Sequence, residues 1–374
     1  MTIRSQRIAI AAMFILNGAL FGIWASRVPA VVEQFSLSHA QLGVLLLAMA
    51  AGAVCSFPFA GKSVDRLGAA KITRHVALAY PITLVILPLA PNSTVLGASL
   101  FIFGAAHGAM DVAMNSWGAE VERRFEHRMM SSFHAMFSFG AGIGALSGYI
   151  AVQAGAGILA HFLVSSALTS AVTIFLASIP WVSDTTMRKD GSVFAFPSGP
   201  LLLVGMVAFC SSLGEGAMAD WSAVYLRDIV LAEEGTAALG YAAFSISMVV
   251  IRLLGDRITT RLGPVSAARL GGCIAAAGIL LAILVPSVAT ALAGFAMLGI
   301  GYAVIMPLAF SRAANDPNVP PGRAISSVAT LGYGGMLLGP PIIGFLAGVT
   351  NLQMAFGLLA VLAGLIVSIA PSLR

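Results

Sequence analysis

Twelve apolar runs of about 20 residues follow one another along this chain, separated by short polar breaks. They fall near 8–30, 40–60, 72–90, 95–117, 130–153, 157–180, 199–225, 236–256, 266–286, 288–310, 323–349 and 352–371. A helix needs about 20 residues to cross ~30 Å of hydrocarbon, so every run is long enough to span a bilayer. A spanning barrel would instead be written in strands of roughly ten residues with alternating polarity. The fold class expected is therefore an all-α integral membrane protein with twelve transmembrane helices. Charged residues are 9% of the 374, against about a quarter in a soluble domain. The first run is longer than a signal-peptide core and no small-residue cleavage pattern ends it, so a retained helix is expected. Cys55, Cys210 and Cys273 all fall inside apolar runs, which argues against a disulfide framework.

The polar breaks fix an expected orientation. When they are assigned alternately to the two sides, all of the 20 Lys and Arg except Arg27, Arg227 and Arg252 fall on the side of the N-terminus. Cytoplasmic loops carry that excess, so both termini are expected in the cytoplasm, in a bacterial-type inner (plasma) membrane. The net charge of +5 reflects this topology and gives no reason to expect nucleic acid as a partner. A small-molecule substrate, protons and the lipid bilayer are the expected partners of what is expected to be a monomer.

The longest polar break, "WVSDTTMRKDGSVFAFPSG" at 181–199, divides the chain. Residues 1–180 are expected to form an N-terminal six-helix bundle, 181–198 a cytoplasmic central loop, and 199–374 a C-terminal six-helix bundle. The halves also rhyme. "DRLGAAK" follows the second run and "TRLGPVS" the eighth, with Arg66 and Arg261, and Gly68 and Gly263, each 195 residues apart. Trp24 near the end of the first helix is echoed by Trp221 near the end of the seventh. A repeated six-helix unit is the sequence trace of a secondary transporter with its substrate site between two bundles.

"GKSVDRLGAAK", residues 61–71, resembles the cytoplasmic loop motif of the major facilitator superfamily, and the twelve spans and central loop fall where that family puts them. Within it, "MDVAMNSWGAEVERR" followed by "MSSFHAMFSFGAGIGA" is most similar to the fucose-permease-like and MosC-like branch, whose members are linked to sugars and polyol derivatives such as rhizopines. The resemblance implies a two-bundle fold working by alternating access and a cytoplasmic gate involving Gly61, Asp65, Arg66 and Gly68. Ala69 and Ala70 stand where that motif has basic positions, and Thr260 stands where the second copy would match Asp65, so a smaller charge network is implied. Fucose-permease-type symport is associated with acidic residues on helices 1 and 4, whereas helix 1 here offers Asn17 and no carboxylate.

Ionisable groups inside a membrane are costly and usually face a cavity or a partner. Helix 4 carries His107, Asp111 and Asn115 at four-residue spacing, which places all three on one face. Asp111 is a candidate to take up and release a proton, or else it pairs permanently with Arg252 or His134. His134 on helix 5 and Glu215 on helix 7 are the other proton-coupling candidates, with structural pairing as the alternative for Glu215. Asn17, Trp24, His107, Asn115 and Trp221 are candidate substrate contacts. Tyr225, Tyr302 and Tyr333 add aromatic surface on helices 7, 10 and 11, although Trp and Tyr also populate the membrane interfaces. Arg27 and Asp220, at matching outer depths on helices 1 and 7, are expected to pair as an outer gate.

Gly140, Gly144 and Gly148 form a G-x-x-x-G ladder on helix 5, and Gly335 and Gly339 mark helix 11. Such faces admit close helix packing, static or sliding. Helix 5 lacks the Gly-Pro step of drug antiporters, since Ala145 follows Gly144. The chain has no Gly-Lys-Ser or Gly-Lys-Thr loop for a nucleotide, no metal-ligand spacing and no catalytic set in a loop. Neither a cofactor nor a metal nor an enzymatic activity is expected. The function expected is proton-coupled transport of a small polar organic solute, a sugar or polyol derivative. An exporter of amphipathic or drug-like compounds and a solute sensor that moves nothing are the alternatives.

Overall fold

The structure, a computed structural model, describes residues 3–125, 129–183, 185, 196–319 and 321–374. Among them are thirteen α-helices: α1 (Ile3–Gln34), α2 (His39–Leu67), α3 (Ala69–Val85), α4 (Ser93–Phe125), α5 (Met130–Gln153), α6 (Ile158–Ala177), α7 (Pro200–Asp228), α8 (Glu234–Leu262), α9 (Pro264–Leu284), α10 (Val288–Tyr302), α11 (Ile305–Ala314), α12 (Pro321–Val349) and α13 (Leu352–Ile369). They supply 12 spans long and apolar enough to cross a membrane, and the chain is an all-helical multi-pass membrane protein. Arg128, Arg188 and Lys189, counted above for orientation, lie outside the described residues, as does most of the central loop.

The run at 288–310 is not one continuous helix. It breaks at Ala303–Val304 into α10 and α11, which together make a single span. Pro307 explains the break. A proline inside a helix has no N–H to donate and its ring collides with the carbonyl four residues earlier, here that of Ala303. Elsewhere the helices outrun their apolar cores. The fourth run was expected to end near 117, yet α4 continues to Phe125 through Glu120, Glu122, Arg123 and Arg124. Glu and Arg are good helix formers, and the two arginines in the last turn suit the negative end of the helix dipole.

The chain forms two compact units, Met1–Ser36 with Leu45–Gly191 and Leu37–Val44 with Ser192–Arg374. In the first, α1 packs most extensively on α5 and also on α6, while α3 packs on α4 and α6. The second repeats the pattern, with α7 on α12 and α13, and α9 on α10 and α13.

Residues without side chains make the tightest of these seams. On α1, a Cβ at Gly18 would overlap the Phe137 carbonyl oxygen and lie 2.9 Å from the Ala141 nitrogen, and one at Gly22 would overlap the Ala141 carbonyl. On α5, Gly140 and Gly144 press in the same way on the carbonyls of Ile15 and Ala19. In the second unit, 195 residues on, Gly335 and Gly339 of α12 press on the carbonyls of Phe209 and Leu213. A second seam repeats at the same offset. Gly104 of α4 lies on the Met49 carbonyl and Gly299 of α10 on that of Phe244. Where Gly52 abuts the Phe101 carbonyl in the first unit, Ser247 donates a 2.9 Å hydrogen bond to the Ala296 carbonyl in the second.

The α2–α3 and α8–α9 turns also match. Gly68 and Gly263 sit at φ of 89° and 76°, in the region where an L side chain is strained. Among the described residues, only the first turn has something docked on it: the Ala70 amide donates to Ser183 Oγ at 3.0 Å. The segment leading to Ser183 is strapped to the same end of the first unit. Arg74 donates to the Ala177 and Ile179 carbonyls, the Trp181 indole donates to Glu120 at 3.0 Å, and the Arg124 guanidinium lies 4.2 Å from the centre of the Trp181 ring.

Candidate functional site

The polar candidates of the first unit include Asn17. It lies in mid-α1 with no exposed surface, and neither its amide nitrogen nor its amide oxygen has a hydrogen-bond partner. Both Phe14 and Phe21, one turn either side, meet an imidazole. Phe14 takes the His134 ring of α5 edge-on at 5.3 Å, and Phe21 stacks on the His107 ring of α4 at 5.0 Å. Two phenylalanines that flank Asn17 on α1 thus meet His107 and His134. Trp24 continues this stretch of α1, fully buried, with its ring 6.2 Å from that of Phe103.

The other two polar members of the α4 face are tied to each other. Asn115 Nδ2 donates to the Asp111 carboxylate at 3.1 Å and to the Asp111 carbonyl at 2.9 Å. Both side chains are half-buried. His107 is hydrogen-bonded through Nδ1 to the Tyr80 hydroxyl of α3 at 2.9 Å. Sequence pattern gave no warning of Tyr80, because it is one tyrosine in an apolar helix and its partner is 27 residues away.

In the second unit Glu215 of α7 forms an ion pair with Arg252 of α8, with Nη2 3.1 Å from one carboxylate oxygen and 3.3 Å from the other. Trp221 donates its indole N–H to the Pro340 carbonyl at 2.9 Å, and its ring meets that of His39 edge-on at 5.8 Å. Tyr225 is closed into the core, where its hydroxyl donates to the Ala282 carbonyl at 2.9 Å and its ring stacks on Phe356. Tyr302 of α10, 195 residues after His107, lays its ring against Gly214.

Of the gating candidates, Arg27 belongs to the first unit and Asp220 to the second, and each is almost fully buried, at 3% and 1% exposure. Arg27 donates to the Ala156 carbonyl at 3.4 Å. Gly61 faces open space, Asp65 is half-buried and Arg66 exposed, while Gly68 is closed in by Ser183. The contacts fixing that turn run through Gly68, Ala70 and Ser183.

The profile described as Major Facilitator Superfamily matches residues 9–320. The uncharacterized transporter y4wD of Sinorhizobium fredii (strain NBRC 101917 / NGR234) is 45% identical over 366 residues, covering 98% of this chain and 97% of its own. Membrane protein MosC of Rhizobium meliloti is 34% identical over 367 residues, covering 97% and 88%. Among solved structures, a D-xylose-proton symporter superposes with a TM-score of 0.78 at 13% identity, over 100% of this chain and 97% of its own. At that identity the likeness speaks for the fold alone.

Proposed function

The chain belongs to the major facilitator superfamily, and from that premise we propose that it is a proton-coupled secondary transporter of a small polar organic solute, a sugar or polyol derivative, across the bacterial inner membrane with both termini in the cytoplasm. Two six-helix bundles expose the solute to one side at a time.

Asn17 carries this proposal. A buried amide left without partners costs about 1–3 kcal/mol, and a helix has no structural need of one in a face otherwise made of phenylalanine. The amide offers one donor pair and one acceptor, which is what a hydroxyl-bearing solute requires, and the flanking aromatic and imidazole rings suit the apolar faces of a sugar ring. Asp111 and Glu215 are assigned the coupling protons, with Asn115 holding the Asp111 carboxylate. Its neighbour at His107 and the imidazole of His134 complete the polar lining. Arg27 and Asp220 form the outer gate, and Gly61, Asp65, Arg66 and Gly68 belong to the inner one.

The test is flux into liposomes holding the purified protein, with an imposed pH gradient and a panel of sugars, polyols and cationic dyes. Gradient-driven accumulation of a sugar or polyol is expected. Dye movement alone would mark an exporter of amphipathic compounds, and saturable binding without flux a sensor. Asp111→Asn is expected to abolish gradient-driven accumulation while leaving solute exchange. Accumulation that survives the substitution makes Asp111 structural.

A further inference from the structure

The Glu215–Arg252 pair joins two spanning helices of the second unit, and its side chains are 18% and 10% exposed. Two buried hydroxyls accompany it. Ser211 lies one turn before Glu215 on the same face of α7, and its Oγ is buried without a hydrogen-bond partner. The Tyr302 hydroxyl is likewise buried and unpartnered, and a Cβ at Gly214, next to Glu215, would lie 3.1 Å from its oxygen. Among the described residues, Tyr241 of α8 and Tyr302 of α10 interact with the pair, Asp220 of α7 with Tyr241, and Cys210 of α7 with Tyr302. Of the other helices packed on α7, α12 carries Tyr333 and, at its start, Arg323. α11 carries Arg312, which meets Asp316 at 3.0 Å, and α13 carries no titratable side chain.

We infer that Arg252 is the receptor for a carboxylate on the solute and that Glu215 is the anion it exchanges, so that a hydroxylated carboxylate is moved together with one proton. This rests on the reading of the chain as a transporter and names its substrate class. A planar guanidinium binds one carboxylate through two parallel hydrogen bonds, and a solute carboxylate that takes this position displaces Glu215. Two carboxylates facing one guanidinium would leave a net negative charge in an apolar bundle, which is costly. A proton from the side on which the solute entered neutralises Glu215, and the bound state is then as neutral as the empty one. When the solute leaves on the opposite side, Glu215 gives up the proton there and returns to Arg252. Through this pair one anion and one proton have crossed, with no net charge moved. Ser211 and Tyr302 meet the solute's hydroxyls, which satisfies the two groups that have no partner in the empty protein.

The probes are D-gluconate and D-glucitol, which share one hydroxylated chain and differ only in bearing a carboxylate or a CH2OH at C1. The full-length protein in detergent is titrated with each, and binding is read from thermal stabilisation and proton uptake from a pH dye in weakly buffered solution. Gluconate is expected to bind with uptake of one proton per protein, and glucitol to bind at least about tenfold more weakly. Arg252→Gln should weaken gluconate binding by about tenfold or more. Glu215→Gln should tighten it, because the resident competitor is gone, and should take up no proton. A Glu215 with only a structural role would not give that tightening. If Arg252→Gln does not fold, Arg252→Lys, which keeps the charge and loses the fork, should weaken gluconate binding and keep proton uptake. Equal binding of the two probes, unchanged binding in the Arg252 variant, or proton uptake in Glu215→Gln overturns the inference. Gradient-driven glucitol flux without gluconate binding overturns it while leaving transport standing. Gluconate binding with its proton but no flux of either probe refutes transport and leaves the receptor assignment intact.

Discussion

Replacing Gly140 by alanine adds one methyl group where α1 and α5 approach backbone to backbone. The added Cβ would overlap the Ile15 carbonyl oxygen and lie 2.9 Å from both the Ile15 carbonyl carbon and its Cα. These are backbone atoms of a helix and cannot rotate aside, so α1 and α5 must part by roughly 0.5–1 Å. A gap of that size forfeits about a quarter to a half of each dispersion contact, each worth about 0.1–0.2 kcal/mol. Over the few tens of atom pairs along the seam the loss is about 1–3 kcal/mol, which is also the usual range for overpacking. Alanine regains up to about 1 kcal/mol of helix propensity, so the net destabilisation expected is about 1–2 kcal/mol, or a Tm about 2–8 °C lower for a unit of this size. Gly364→Ala in α13 is the control, because nothing lies within 4 Å of its added Cβ. There propensity acts alone, and Tm should hold or rise. The assay is thermal unfolding of the two variants and the parent in one detergent. If Gly140→Ala melts at or above the parent, the seam is not held by close glycine packing and the argument fails.

Asn17→Leu should raise Tm, since it removes a buried amide costing about 1–3 kcal/mol, and should abolish solute binding; a lower Tm would mean that the amide is satisfied in the folded protein. Gly68→Ala should destabilise more than Gly263→Ala, because both carry the strain of positive φ but only the first Cβ meets Ser183, at 2.7 Å; equal melting shifts would remove Ser183 from the account of that turn. Arg27→Asp and Asp220→Arg should each impair transport, and the double exchange should restore part of it; a double variant no better than either single one refutes the outer ion pair.

The length and spacing of the apolar runs determined the number of spans and the all-helical class, because a bilayer leaves a 20-residue apolar segment almost no alternative to a helix. The matched turns at Gly68 and Gly263 were legible too, since a backbone that needs positive φ selects glycine whatever surrounds it. The polar face of α4 could be drawn from four-residue spacing alone. Partners could not, because a hydrogen bond or ion pair depends on which faces of distant helices meet. Only the tertiary structure placed Tyr80 on His107, gave Arg252 to Glu215 and left the Asn17 amide without a partner. The ladder on α5 was visible in sequence, but that Gly18 and Gly22 of α1 answer it was decided by the packing of two helices more than 100 residues apart. Local chemistry fixes what a helix can present; long-range packing decides what it meets.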